Sequence, residues 1–267
     1  MAERDILQPD FIRKGLNKSL FTTNIVFHET LNSTNLLAKE LAGQGAPEGT
    51  LVLTEKQTAG RGRRSRQWFS QGYSNLLFSL LMRPDFQSDR IFILTMILAL
   101  STIDGIKEAC GLELMIKWPN DLYLGRKKLA GILTEFSVRN MRTEYVVLGL
   151  GLNVNWSPEK KETLLYPATS LFTETGTSIS RNELLISILK KFEDNYTQVL
   201  SGKIDEFYKR WNELSLIKGC NVTIKSDRKK LRGRAIRIEN CGTLIIRDSK
   251  GFEQKIMVGD VSLDFES

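Results

Sequence analysis

The sequence is poor in the residues on which several chemistries depend. It has one histidine, His28. A His-rich zinc centre is therefore excluded, and a Ser-His-Asp triad could be built only on that residue. A surface or strand-edge position is the simpler reading. The three cysteines, Cys110, Cys220 and Cys241, are widely spaced and lack a CxxC pair. This suits a reducing, cytoplasmic setting better than a disulfide framework. Long hydrophobic runs are also missing. The most apolar stretch, 91–103, is interrupted by Thr95, Ser101 and Thr102. It falls short of the roughly 20 residues that cross a bilayer and reads as a buried helix. Residues 1–20 carry too many charges and too few apolar side chains for a secretory signal or an anchor.

What is present describes an ordinary globular chain of 267 residues, 41% apolar and 26% charged, with a net charge of +7. The positive excess is local. It gathers at Lys56, Arg61, Arg63, Arg64 and Arg66, at 126–128, and at 225–237. Such locality points to anion sites; for 225–237, steering of an acidic partner and a solvated barrel face are both open.

Three parts are expected: an N-terminal segment (1–20), a large domain (21–217) and a small C-terminal domain (218–267). In the large domain, 32–35 can cap a helix ending near Gly43 and Gly45, and 51–53 and 74–82 read as strands around a Gly/Arg loop. A helix at 88–109 leads into strand-like runs at 114–117, 121–124, 129–138 and 145–155. Ser180 and Glu183 have capping-box spacing before an amphipathic helix that stops at Gly202, and a second helix is expected over 203–213. Beyond Lys218, short β-rich pieces punctuated by Gly233, Gly242, Gly251 and Gly259 suggest a small barrel.

Three constellations could carry chemistry. Gly60-Arg61-Gly62-Arg63-Arg64-Ser65-Arg66-Gln67-Trp68 packs four guanidinium groups into six residues. Like charges so close favour an open loop until a polyphosphate compensates them, as an ATP lid would; a solvated basic loop or nucleic-acid patch would share the composition. Lys117-Trp118-Pro119-Asn120-Asp121 followed by Lys128-Leu129-Ala130-Gly131-Ile132 reads as two strands around a Gly125 turn. That hairpin could bring Asp121, as a tentative Mg²⁺ ligand, beside Lys128, a point charge for a phosphoryl group. A strand bearing a surface ion pair is the bland reading. Gly149-Leu150-Gly151-Leu152-Asn153 lacks the third glycine and following helix of a dinucleotide fingerprint. It reads better as a strand that lets a flat ligand approach, with Asn153 offering its amide, or as packing glycines.

In this order, and together with Ser33-Thr34-Asn35 and Gln57, these motifs resemble the biotin-protein ligase family over about residues 24–267. The resemblance implies an α+β fold, a mixed sheet flanked by helices in the manner of class II synthetases, with an SH3-like C-terminal barrel. It implies adenylation of biotin by Mg²⁺-ATP and transfer to a lysine of a biotin carboxyl carrier protein, by a monomer or homodimer using neither nucleic acid nor membrane. Lys128 and Arg63 would be catalytic. Biotin would be held by Ser33, Thr34, Asn35, Gln57, Arg61, Gly62, Arg63, Lys128, Gly131 and Gly149. ATP would fall to Arg61, Arg63, Arg66, Trp68, Asn120, Asp121, Lys128 and Asn153. Since only 32 residues precede Ser33, the resemblance is to the monofunctional type without a winged helix-turn-helix. Two departures stand out: Ser65 replaces a glycine common in the family, and Arg237 lies one residue from an arginine position of some members. A lipoate or octanoate ligase shares the adenylation logic. A nucleic-acid-binding protein would account for the isoelectric point near 9.3, though the basic patches lack stacking aromatics apart from Trp68 and Phe69.

Overall fold

The computed structural model describes residues 5–85, 87–140, 142–157, 167–225, 230–257 and 259–263. Part of the basic stretch (226–229), Val258 and the last four residues of the small domain lie outside it. The chain opens with helix α1 (Pro9–Leu16), strand β1 (Ile25–Leu31), α2 (Thr34–Gly43), β2 (Thr50–Gln57) and β3 (Asn75–Met82). The long helix α3 (Phe92–Cys110) precedes β4 (Met115–Lys117), β5 (Asp121–Leu124), β6 (Lys127–Arg139) and β7 (Arg142–Asn153). Helices α4 (Leu171–Thr175), α5 (Arg181–Leu200) and α6 (Asp205–Glu213) lead to β8 (Asn221–Lys225), β9 (Lys230–Ile238), β10 (Leu244–Arg247), β11 (Glu253–Ile256) and β12 (Asp260–Leu263).

Seven strands form a mixed sheet in the order β1-β2-β3-β7-β6-β5-β4, with β1 and β2 parallel and the other pairs antiparallel. The remaining five form an antiparallel sheet, β11-β10-β9-β8-β12, as expected of the SH3-like domain. His28 lies exposed on the edge strand β1.

The period-2 alternation of β7 divides the large sheet into two faces. Leu148, Leu150 and Leu152 enter the main core with Leu98, Leu185 and Phe192 from α3 and α5. Val147 turns the other way, against Ala38 and Ala42 of α2. On that second face, Gly149 and Gly151 follow Val147, and the room their missing side chains leave is taken by Asn35, from the first turn of α2, and by Trp68. The stretch 91–103 is a buried helix, as its composition requires.

The N-terminal segment, expected only to be neither signal nor anchor, packs on the large domain. Ile12 and Leu16 share the buried face of α1, which packs on α5, and Leu7 is buried just before the helix. Arg181, fully buried, binds Asp5 at 3.1 Å and Glu55 at 2.7 Å, and Glu55 also accepts the Leu7 N–H. These contacts fasten the segment to β2.

Candidate active site

A cavity of about 660 Å³ opens on the glycine-bearing face of the sheet. Its lining includes every residue to which the resemblance gives a catalytic, biotin or ATP role, from Ser33 to Asn153. Its floor is made possible by missing side chains. Gly149 and Gly151 of β7 pair with Leu133 and Gly131 of β6. A Cβ on Gly149 would sit 1.9 Å from Asn35 Oδ1, and one on Gly151 would sit 2.5 Å from the Trp68 indole.

One end is built by the first turn of α2. Ser33 has N-cap backbone geometry without a side-chain cap bond. The Thr34 N–H instead donates to Gln57 Oε1 at 2.9 Å. Asn35 donates to Leu133 O and Glu135 and accepts from Ser79 Oγ, which also lies 2.8 Å from the Thr34 hydroxyl. This end is a small set of amides and hydroxyls held by hydrogen bonds to one another and to the sheet.

The other end gathers charge. The register shift between Leu122 and Tyr123 opposes Ala130 to Leu122 but Lys128 to Tyr123, so one extra residue lies in β6. A bulge of this kind reverses the alternation. Leu129 enters the core while Lys128 reaches the cavity, where its ammonium meets Asp121 at 2.7 Å and lies 5.4 Å from the Trp68 ring. The Lys128 backbone bonds to Pro167 and Thr169 on both sides, fixing its origin. The expected hairpin does join Asp121 and Lys128. Lys117, quoted in the motif but given no role, also lines the cavity, and burial pushes its pKa down against the pull of Asp121.

The Gly/Arg loop covers this end as a pinched hairpin. Trp68 N–H donates to Gly60 O and Gly62 N–H to Arg66 O. At the tip, Arg64 and Ser65 both have positive φ, 53° and 59°. That is the pattern of a type I′ turn, normally made by Asn-Gly. Ser65 thus stands in the left-handed region where glycine is at ease, which gives its replacement of a family glycine a physical meaning.

The loop's charges are already matched. Arg66 pairs with Asp260 at 2.5 Å, Arg64 reaches Asp260 and the Lys225 carbonyl, and Arg63 donates to Asn120 at 3.4 Å. Burial lowers the Arg63 pKa, opposed by Asp260 and Asp121. The expected repulsion among these arginines is offset within the chain, by Asp260 beside Arg64 and Arg66 and by Glu135 at 3.6 Å from Arg61. Asp260 comes from the C-terminal sheet, so the second domain supplies part of the wall. Arg237 does not take part; it is bound to Glu239 and Glu253.

Two expected contributors are committed elsewhere. Asn153 lines the cavity, but its amide donates to Thr169 O and accepts from Asn75. Asn120 donates to Ile132 O at 2.5 Å. Both shape the wall. For magnesium, no group of three His, Cys, Asp or Glu side chains exists among the described residues. Asp121 alone, paired with Lys128, does not make a resident metal site, but it fits an ion that arrives on a nucleotide and keeps phosphates and water as ligands. Among the described residues, no helix is long and apolar enough to cross a membrane.

Comparison with known proteins follows this geometry. Residues 27–153 match the model of the biotin/lipoate A/B protein ligase family. The bifunctional ligase/repressor BirA of Bacillus subtilis is 37% identical over 94% of this chain and 78% of its own length. A biotin--[acetyl-CoA-carboxylase] ligase of Paracoccus denitrificans is 30% identical over 82% of this chain and 92% of its own. The biotin protein ligase of Aquifex aeolicus, solved in complex with biotin and ATP, superposes with a TM-score of 0.77 at 29% identity, covering 90% of this chain and 98% of that one.

Proposed function

The chain belongs to the biotin/lipoate A/B protein ligase family, and we propose that it adenylates biotin with ATP and transfers the biotinyl group to a lysine of a biotin carboxyl carrier protein. The observation that carries this reading is the polarity of one cavity. A neutral amide and hydroxyl end at Ser33, Thr34 and Asn35 suits a ureido ring, and a cationic end at Lys128, Lys117 and the lid arginines suits a triphosphate. The glycine floor between them admits the flat parts of both.

In the first step a biotin carboxylate oxygen attacks the α-phosphorus of Mg²⁺-ATP. The bond to the bridging oxygen breaks and pyrophosphate leaves. Negative charge grows on the phosphoryl oxygens, and Lys128, held 2.7 Å from Asp121, is aimed there. Magnesium would arrive on the nucleotide, where it would neutralise phosphate charge, and Asp121 is the carboxylate that would hold it. Arg63 and Arg66 exchange Asn120 and Asp260 for phosphate oxygens, which draws the lid over the site and keeps water from the mixed anhydride. In the second step the acceptor amine attacks the biotinyl carbonyl, a proton is lost from nitrogen, and AMP leaves.

The inward aim of the lid arginines favours this site over a nucleic-acid surface, and the three free thiols accord with work in the cytoplasm. Pyrophosphate release dependent on both biotin and ATP, measured with lipoate as competitor, tests the reading. Turnover with lipoate but not biotin would shift the assignment to the lipoate branch; no turnover with either would end it.

A further inference from the structure

Glu135 stands on β6 two residues beyond Leu133 and does not itself line the cavity. Three groups converge on its carboxylate. Asn35 Nδ2 donates to Oε2 at 3.0 Å, Lys39 Nζ donates to Oε1 at 2.9 Å, and Arg61 Nη1 lies 3.6 Å from Oε1. Asn35 comes from the first turn of α2 and Arg61 from the lid, and both do line the cavity. The carboxylate is 19% exposed. Burial works against its charge, but Lys39, Asn35 and Arg61 together hold its pKa below the ordinary value.

The three contacts differ in kind. The Asn35 bond decides the amide's orientation: Nδ2 is drawn to Glu135 and Leu133 O, leaving Oδ1 for Ser79. The Lys39 bond joins α2 to the sheet. The Arg61 contact exceeds hydrogen-bond length, so charge holds it without fixing its geometry. A lid arm held in this way can move and return.

Resting on the ligase reading above, we infer that Glu135 is a positioning residue for capture of the biotin ring: it fixes the Asn35 amide and tethers Arg61, and so joins ring recognition to the place of the lid. Helix-to-sheet glue alone would not require the carboxylate to meet these two cavity residues.

The experiment compares Glu135→Ala, Glu135→Gln and Lys39→Met in the full-length enzyme by pyrophosphate release. Losing a charge-assisted hydrogen bond should raise the biotin KM of Glu135→Ala roughly 10- to 100-fold while the ATP KM moves less than about threefold. Glu135→Gln keeps a carbonyl acceptor for Asn35 and should recover most of the biotin KM. It should also release biotinyl-adenylate faster than wild type when no acceptor is present, because Arg61 has lost its counter-charge. Lys39→Met breaks the helix-to-sheet pair but spares Asn35, and should keep a near-wild-type biotin KM. The inference is overturned if Glu135→Ala shifts both KM values alike or neither, or if Lys39→Met matches it. If Glu135→Ala fails to fold, a Glu135→Gln variant with wild-type adenylate release overturns it equally. Wild-type enzyme inert toward biotin would instead remove the ligase reading, and this inference with it.

Discussion

Two glycines, two residues apart on β7, should separate the substrates. In Gly149→Ala the new Cβ falls 1.9 Å from Asn35 Oδ1 and 2.8 Å from its Cγ. Ordinary contact begins near 3.4 Å, so the amide would have to retreat by about 1.5 Å. It cannot do so cheaply, because Ser79, Leu133 O and Glu135 hold it. At about 1 kcal/mol for a neutral hydrogen bond and about 1.5–3 for the charged one, displacement costs roughly 3–5 kcal/mol. Even if half of that falls on stability, the biotin KM should rise by at least about tenfold, and by about 10²–10³-fold if most falls on binding. Gly149 has no positive φ, so backbone strain adds nothing. In Gly151→Ala the obstacle is the Trp68 indole at 2.5 Å. Trp68 belongs to the lid and can swing away, so the cost should appear in the ATP KM. Steady-state pyrophosphate release, titrated in each substrate, reads the split, and thermal melts report the stability share. Gly43→Ala, whose Cβ meets nothing within 4 Å, is the control. The reasoning fails if Gly149→Ala raises the ATP KM more than the biotin KM, or if both variants leave the two constants unchanged.

Other outcomes follow from the same contacts. Lys128→Met should lower the adenylation rate by about 10²–10³-fold, with less effect on transfer from supplied biotinyl-adenylate; equal losses in the two half-reactions would contradict the assigned role. Glu55→Ala leaves the fully buried Arg181 without its closest partner and should cost about 3–5 kcal/mol in a denaturant titration. The pKa of Glu135 is held below its ordinary 4.5 in the folded state, so its contribution is present above that pH and is lost as pH falls through the lowered value. The thermal lead of wild type over Glu135→Gln should therefore shrink on acidification; a lead independent of pH would contradict the ion cluster. Asp260→Asn removes the counter-charge of Arg64 and Arg66. Limited trypsin digestion should then cut the lid faster than in wild type, and biotin plus ATP should restore protection.

Much of the site could be read in advance because its signals are contiguous. Four arginines among glycines, Lys117 to Asp121, and Lys128 to Gly131 each declare their chemistry within a few residues. What escaped is non-local or ordinary in type. Glu135 and Ser79 are unremarked strand residues whose importance comes from Asn35, about a hundred and about forty positions away respectively. The bulge at Leu129 leaves no mark in the apolar pattern. Asp260 lies 194 residues from Arg66, in the last strand of the small sheet, and nothing beside it in the sequence ties it to the Gly/Arg loop. The packing of the N-terminal segment has no local signal either, because Leu7, Ile12 and Leu16 are buried against distant parts of the chain, α1 on α5. The glycines of β7 leave both ligand approach and packing open in the sequence, and Gly149 makes room first for the side chain of Asn35.

The C-terminal sheet bears on how such a protein can be recombined. The Trp118 indole N–H, inside the Lys117–Asp121 motif, donates to Gly242 O at 2.8 Å, and Phe92 packs where a Gly242 side chain would go. With Asp260 beneath the lid, the boundary between the two sheets runs through the active site itself. The small domain is therefore not an exchangeable appendage. A chimera joined near residue 218 would inherit an indole without an acceptor and a lid without a counter-charge. Sequence drift in either half is answerable to the other.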